Sequence, residues 1–194
     1  MKEYIENNLK TKFLGKNIDY YESIDSTHLL AKKIPNKELK DGMLILADNQ
    51  TEGIGTHERK WFTGKGENLS FNIILTPNCD INKISQLTIK SAECIVTILK
   101  KYNIETTIKK PNDIILNNKK MAGILTECVT RKDIVKTIYI GIGININQTE
   151  FPGNLTNIAT SLKKEFNKEF CREEILVQFL EEFEKEYLEM IKGV

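Results

Sequence analysis

Residues 141–147 alternate strictly between a small or polar residue and isoleucine, in the order Gly-Ile-Gly-Ile-Asn-Ile-Asn. Successive side chains of a strand point to opposite faces, so this period of two predicts one face of isoleucines and one of small and polar residues. Glycine weakens a strand interior unless another group must approach the backbone there. A ligand is the economical reason for such closeness, and a bulge or tight packing against a helix is the structural alternative.

Short strands and helices are predicted in interleaved order along the rest of the chain. Apolar runs predict strands at residues 43–47, 69–75, 105–109, 113–116, 122–129 and 134–142. Helical spacing of apolar residues predicts helices at residues 83–102 and 172–191, and Asp25 and Ser26 can cap a short helix that runs through Lys33. Asn117-Asn118 predicts a tight turn between two strands. The pattern favours an α+β fold, a mixed sheet packed with helices.

Length and composition indicate an ordinary globular protein. We expect a single domain over residues 1–194, because a chain of this length usually buries one core. The 28 basic and 27 acidic side chains leave a net charge of +1, without the basic excess typical of a nucleic-acid-binding domain. The N-terminus lacks the apolar core of a signal peptide, and no window approaches the roughly 20 apolar residues that span a bilayer. A cytoplasmic location without membrane contact is therefore expected.

Four cysteines and two histidines restrict the metal and redox chemistry. The cysteines are far apart and form no C-x-x-C pair, so a zinc site or a disulfide framework is not expected. We interpret all four as small buried apolar residues.

Residues 49–67 lose periodicity and carry four glycines, which predicts a long loop. A loop of this length within a compact domain is usually functional or mobile. Gly53 and Gly55 allow the backbone to approach a ligand or to present its N–H groups to an anion. Arg59 adds positive charge, and Trp61 is the single tryptophan. A surface loop with turn glycines is the alternative interpretation.

A charged hairpin is the third unusual segment. Pro111 restricts the backbone before Asn112 and Asp113, and Lys120 follows the predicted turn at residues 117–118. If Asp113 begins one strand and Lys120 follows the turn, the two ends of the hairpin can lie near each other, and a carboxylate and an ammonium would then face one site. A plain charged hairpin without a ligand is the alternative.

In this order, the segments resemble the motifs of biotin–protein ligases. The family pattern is D-S-T-N at a helix start, a Q-T-x-G-R-G-R-x-x-R-x-W loop, K-W-P-N-D followed by K-x-x-G-I-L-x-E, and G-I-G-x-N-x-N. The matching residues here are 25–27, 50–61, 109–113, 120–127 and 141–147, and residues 159–162 match a following A-T-S-L stretch. The resemblance covers about residues 20–165 and implies the catalytic core shared with class II aminoacyl-tRNA synthetases.

The resemblance implies an ATP-dependent ligase with two steps. The biotin carboxylate attacks the α-phosphorus of Mg-ATP to form biotinyl-5'-AMP, and a lysine of the biotin carboxyl carrier domain of a carboxylase then attacks this anhydride. ATP and Mg²⁺ are thus the implied cofactors, and biotin is the substrate. No DNA partner is expected, because no helix-turn-helix region precedes Tyr20, and no C-terminal β-barrel domain is expected either.

Roles for individual residues follow from the resemblance alone. Arg59 and Lys120 match positions that hold the α-phosphate and the biotin carboxylate, and Asp113 matches one that orients the incoming lysine or positions Mg²⁺. The biotin-binding positions are Ser26, Thr27, Gln50, Gly53, Gly55, Trp61, Lys120 and Gly123. The adenylate-binding positions are Arg59, Trp61, Asn112, Asp113, Lys120 and Asn145.

Three departures from the family pattern matter. Ile54 and Thr56 stand where the loop usually carries arginines, so we expect the adenylate to be held less tightly unless His57 partly substitutes. Lys110 replaces the tryptophan before the proline, and His28 stands where asparagine is usual, which leaves that hydrogen bond open.

Two other functions remain as alternatives. A lipoate or octanoate ligase of the same fold would be expected to carry an R-R-x-S-G-G-G-type loop, which differs from residues 50–61. A non-catalytic biotin- or adenylate-binding module would explain the missing arginines, but the retained Arg59, Asp113 and Lys120 argue against it. The oligomeric state is open, with a homodimer among the options.

Overall fold

The computed structural model describes residues 1–192, so the end of the expected domain, Gly193 and Val194, lies outside the described residues. The helices are α1 (Lys2–Asn8), α2 (Thr27–Lys33), α3 (Lys83–Lys101), α4 (Leu162–Phe166) and α5 (Arg172–Lys192). The strands are β1 (Ile18–Tyr21), β2 (Met43–Ala47), β3 (Leu69–Leu75), β4 (Cys79–Asp80), β5 (Thr107–Lys109), β6 (Asp113–Leu116), β7 (Lys119–Arg131) and β8 (Ile134–Ile144). Single 3₁₀ turns lie at Thr56–Glu58 and Gly153–Leu155.

All eight strands belong to one sheet. The order is β1-β2-β3-β8-β7-β6-β5, and β4 pairs with β8 away from this path. β1 runs parallel to β2, whereas the other pairs are antiparallel. The sheet is therefore mixed and is packed with helices, and the predicted α+β class is confirmed.

The two faces of the sheet have different partners. Ile140, Ile142 and Ile144 of β8 lie in the large core, which also contains the buried sides of α3 and α5. The opposite face carries a small apolar cluster with α2, formed by Ala31, Met43, Ile45, Ile74 and Tyr139. The alternation predicted over residues 141–147 is confirmed for residues 141–144, whose glycines lie on this second face, whereas residues 145–147 lie beyond the end of β8. That face is where a ligand could reach the sheet.

Most predicted elements are present, with shifted bounds. β7 begins at Lys119 and β8 ends at Ile144, so both are longer than predicted, and β5 is shorter. Asn117 and Asn118 have φ values of 48° and 64°, the left-handed conformation that asparagine tolerates in a tight turn. Ser26, not Asp25, caps α2, and its hydroxyl accepts from the Leu29 N–H at 3.4 Å.

The N-terminal segment was not predicted as structured. α1 has seven residues, and only Ile5 is buried, so its sequence carries little helical signal. A distant residue fixes the segment that follows α1. The buried carboxylate of Glu184 on α5 accepts hydrogen bonds from the backbone N–H groups of Lys12, Phe13 and Leu14. Long-range hydrogen bonds, not local propensity, thus fix this part of the chain.

The described residues include no helix long and apolar enough to cross a membrane. Within residues 1–192 there is also no group of three or more histidine, cysteine, aspartate or glutamate residues that could hold a metal ion. Cys79 and Cys94 are buried, Cys128 is half-buried and Cys171 is exposed. The interpretation of all four cysteines as buried is therefore confirmed for Cys79 and Cys94, holds only in part for Cys128 and was wrong for Cys171.

Candidate active site

The glycine-rich loop folds back onto the open face of the sheet. Its tip is a small hairpin in which the Trp61 N–H donates to the Gly53 carbonyl and the Gly55 N–H to the Arg59 carbonyl, each at 2.7 Å. A Cβ atom on Gly53 would lie 2.5 Å from the Trp61 carbonyl oxygen, so a side chain there would break the hairpin. The turn places Trp61 over the sheet.

The glycines of β8 accommodate side chains of the protein itself. A Cβ atom on Gly143 would overlap the indole of Trp61, and one on Gly141 would lie 3.0 Å from Nδ1 of His28. The side chain that approaches Gly141 belongs to helix α2, so the alternative of tight packing against a helix is correct for this glycine. Both glycines nevertheless line the cavity described below, so a ligand would share this face with Trp61 and His28.

The start of α2 and the start of the loop form one hydrogen-bonded unit. Oε1 of Gln50 accepts from the backbone N–H of Thr27 at 2.8 Å and from its hydroxyl at 3.0 Å. A parallel bridge between Ile24 and Gln50 aligns the two segments. Ser26 is buried, and its hydroxyl is engaged at the helix N-terminus. Thr27 and Gln50 thus present one polar surface.

Lys120 and Asp113 meet across the β6–β7 hairpin, as predicted from their positions around the turn. Nζ of Lys120 lies 2.7 Å from Oδ1 of Asp113, and the two side chains are 31% and 18% exposed. The same Nζ is 5.5 Å from the ring centroid of Trp61. Nearby, Asn112 accepts from the Ile124 N–H at 3.0 Å and donates its side-chain amide to the Ile124 carbonyl at 2.9 Å, which fixes the hairpin.

The backbone of Lys120 is clamped by the segment that contains the A-T-S-L residues. The Lys120 N–H donates to the Ile158 carbonyl at 2.8 Å, and the Thr160 N–H donates to the Lys120 carbonyl at 3.0 Å. Glu165 joins this segment to the hairpin turn, because it accepts from the Thr160 hydroxyl at 2.5 Å and from the Asn117 amide at 2.7 Å. These hydrogen bonds hold the pKa of Glu165 below its usual value.

Two adjoining cavities occupy this face. The inner one is lined by Thr27, His28, Gln50, Trp61, Asn112, Lys120, Gly123, Gly141 and Gly143, among others. The outer one, of about 390 Å³, is lined by Arg59, Lys60, Phe62, Asn145, Phe151, Leu155 and Ile158, among others. Gly55, Thr56, Trp61 and Lys120 line both cavities. Lys120 and Trp61 therefore stand at the junction.

Nine of the twelve predicted site residues line a cavity: Thr27, Gln50, Gly55, Arg59, Trp61, Asn112, Lys120, Gly123 and Asn145. Each of the other three predicted residues contacts a neighbouring residue and is not part of a cavity lining. Ser26 caps α2, Gly53 packs against the Trp61 backbone, and Asp113 pairs with Lys120.

Two buried polar atoms of the cavity-lining residues lack a hydrogen-bond partner among residues 1–192. They are Nε1 of Trp61 and Oδ1 of Asn145. The amide nitrogen of Asn145 donates to the Thr160 carbonyl at 3.0 Å, which orients the side chain. A buried polar group without a partner costs free energy, so both atoms are candidates for ligand contacts.

The outer cavity contains residues that the sequence did not single out. Phe151 and Leu155 line it, and the side chains of Phe62 and Ile158 are 43% and 58% exposed there. Apolar residues within the polar stretch after residue 147 are the signal that could have indicated them.

Comparison with known proteins identifies the family. Residues 20–145 match the model described as the biotin/lipoate A/B protein ligase family. The chain is 38% identical over 182 residues to the bifunctional ligase/repressor BirA of Bacillus subtilis, which covers 92% of this chain and 56% of that protein. It is 31% identical over 125 residues to the biotin–[acetyl-CoA-carboxylase] ligase of Paracoccus denitrificans, covering 63% of this chain and 51% of that one. The chain thus spans about half the length of these relatives.

A solved structure shows the same architecture. The biotin protein ligase of Aquifex aeolicus in complex with biotin and ATP superposes with a TM-score of 0.78 at 29% identity, over 91% of this chain and 72% of that one. The likeness confirms the fold expected from the motifs. The chain belongs to the biotin/lipoate A/B protein ligase family, and the Paracoccus denitrificans and Aquifex aeolicus proteins are named as biotin ligases.

Proposed function

We propose that this chain is an ATP-dependent biotin–protein ligase. It would form biotinyl-5'-AMP and transfer biotin to a lysine of a biotin carboxyl carrier domain. The observation that carries the proposal is the pair of cavities that share Lys120 and Trp61. A reaction between a small carboxylic acid and a nucleotide needs two such chambers with a cation where the substrates meet.

The inner cavity has the chemistry for the ureido head of biotin. That ring offers N–H donors and a carbonyl acceptor, and the Thr27–Gln50 unit offers hydroxyl and amide groups of both kinds. Gly123 and Gly141 let Lys120, Trp61 and His28 pack close to the strands, and both glycines line this cavity. Trp61 would cover the apolar tail of biotin.

The outer cavity has the chemistry for ATP. Arg59 and Lys60 bring positive charge to one side, and Phe151, Leu155 and Ile158 offer an apolar surface for adenine. Mg²⁺ fits this arrangement, because the unpartnered Oδ1 of Asn145 is an oxygen of the kind this ion prefers, and Mg²⁺ commonly takes its other ligands from phosphate and water. Asp113 remains a second candidate ligand. When bound, the ion would neutralise charge on the phosphates.

Lys120 would act where charge develops. Its ammonium would stand between the carboxylate end of biotin and the α-phosphate, and a preorganised cation at such a point lowers the barrier to adenylation. Asp113 would orient Lys120 and, once the adenylate has formed, would be positioned to meet the ammonium of the carrier lysine. The backbone clamp by residues 158–160 keeps Lys120 in place before substrates arrive.

An unpaired edge of the sheet suits a second copy of the chain. β6 pairs with β7 only as far as Gly123, and among residues 1–192 no other strand covers the β7 edge opposite β8 from residue 125 to 131. Val129, 52% exposed, lies on this stretch. Antiparallel pairing of two β7 edges would give a homodimer, which sedimentation of the parent chain and of Thr130→Pro would test. A cytoplasmic location is part of the same proposal.

The direct test is mass spectrometry of a carrier domain after incubation with the chain, biotin, ATP and Mg²⁺. A mass increase of one biotin on one lysine, lost in Lys120→Ala, would support the proposal. Biotin-dependent pyrophosphate–ATP exchange separates the steps: folded protein without exchange would be a binding module. Calorimetric titration with biotin and with lipoate would decide between the two ligase types.

A further inference from the structure

His28 is a buried titratable group for which the proposed chemistry has no use. It is 3% exposed, yet it lines the inner cavity next to Thr27. Its ring connects three strands with helix α2. Nε2 lies 2.8 Å from Oε2 of Glu127 on β7, Nδ1 lies 2.8 Å from Nδ2 of Asn72 on β3, and the ring rests against Gly141 of β8.

These contacts define the proton distribution on the ring. Glu127 can only accept when ionised, so Nε2 carries the proton, and Nδ1 is then the acceptor for the Asn72 amide N–H. With the Asn72 amide in this orientation, both ring nitrogens are satisfied by a neutral imidazole with this tautomer. A second proton on Nδ1 would face the N–H group of Asn72, and that amide would have to rotate.

We propose that His28 is a positioning residue that makes binding of the ligand head group dependent on pH. The inference rests on the proposed function, because the ligand of the inner cavity is taken to be biotin. His28 adjoins Thr27, whose N–H and hydroxyl both bind Gln50. Movement of the imidazole upon protonation would therefore disturb the polar surface that recognises the ureido ring.

The charged and titratable groups around the ring come from each packed element. Glu127 lies on β7, and Lys32 of α2 shares its carboxylate at 2.5 Å. Tyr139 of β8 packs edge-on at 6.4 Å between ring centroids, and its pKa is raised by burial. β3 contributes the neutral Asn72. The positive charge of Lys32 offsets the negative charge of Glu127, so little net negative charge remains to stabilise a protonated His28.

The electrostatic balance agrees with this geometry. Burial lowers the pKa of His28 below its ordinary value, although the hydrogen bond and charge of Glu127 act in the opposite direction. A ligand that fills the inner cavity would remove the remaining water and lower the pKa further. Linkage then gives the sign: if biotin lowers the pKa of His28, protonation of His28 weakens biotin binding, and affinity is lost as the pH falls through this pKa.

A substitution removes the titration with little change in polarity. His28→Asn introduces the residue of the family pattern, which has no proton to gain in this range. For the parent chain we expect the Kd for biotin to rise as the pH falls through the pKa of His28, by up to about a factor of ten for each unit by which biotin lowers that pKa. His28→Asn should show a flat profile. His57→Asn removes the only other histidine and should keep the pH dependence of the parent.

The decisive measurement does not depend on any variant's folding. With two histidines, the chain has two imidazole Cε1 proton resonances to follow by NMR against pH, without and with saturating biotin. A fall in the pKa of His28 upon saturation is the expected result. If biotin perturbs other resonances but leaves the titration of His28 unchanged or moves it upward, the inference is overturned. If biotin perturbs no resonance at all, the proposed function fails together with it.

Discussion

Nζ of Lys120 lies 2.7 Å from Oδ1 of Asp113 across the β6–β7 hairpin, although Asp113 pairs with Gly123 and Lys120 with Ile115 in the strand register. The pair is partly exposed, so its worth for stability is small. The pair matters for function because Lys120 lines both cavities and so places its ammonium at their junction.

Lys120→Ala should lower biotin-dependent pyrophosphate–ATP exchange by about 10²–10³, the usual loss when a preorganised contact to the transition state is removed. Asp113→Asn keeps the size of the side chain and leaves the ammonium in place, so its loss should be smaller. If Lys120→Ala retained exchange in a protein that still binds biotin, Lys120 would have no catalytic role.

Gly143→Ala should force the Trp61 indole away from β8, because the added methyl group would overlap the ring. Overpacking of this kind costs about 1–3 kcal/mol, which thermal unfolding would measure. Trp61 is the single tryptophan, so its fluorescence emission should shift in the same variant. In a Trp61→Leu background the cost of Gly143→Ala should shrink, and equal costs in both backgrounds would argue against the contact.

Thr56→Arg should slow the release of biotinyl-5'-AMP. Thr56 stands where the family loop carries an arginine, and its hydroxyl now accepts from Nη2 of Arg59 at 3.0 Å. A hydrogen bond from a charged group to the adenylate phosphate contributes about 1.5–3 kcal/mol, which corresponds to at least about tenfold slower leakage. Thr56→Ser keeps the hydroxyl and serves as the control. Equal leakage from Thr56→Arg and the parent would refute the idea.

Glu165→Gln should destabilise the chain at neutral pH, since an amide can accept from Thr160 or Asn117 but not from both through two oxygens. The expected loss is about 1 kcal/mol. The pKa of Glu165 is depressed in the folded state, so its contribution is present above the unfolded pKa and is lost as the pH falls through the folded one. Denaturant unfolding at neutral and at acid pH should therefore show a difference between parent and variant that disappears in acid.

Local patterns determined much of this protein. The period of two that begins at residue 141 determined a strand with a glycine face, although this strand ends at Ile144, because successive residues of a strand must alternate sides. The asparagine pair at the turn determined a hairpin, which brings the strands that carry Asp113 and Lys120 side by side. The order of these motifs was enough to indicate the family.

Tertiary structure decided which distant side chains pack against these strands and turns. His28 and Glu127 are 99 residues apart, and their contact depends on the sheet order and register, which no local period encodes. The same is true of Trp61 above Gly143, and of the N-terminal segment bound by Glu184. Backbone geometry repeats over a few residues and is visible in sequence. Long-range hydrogen bonds depend on how separate elements pack, and only the folded chain brings them within reach.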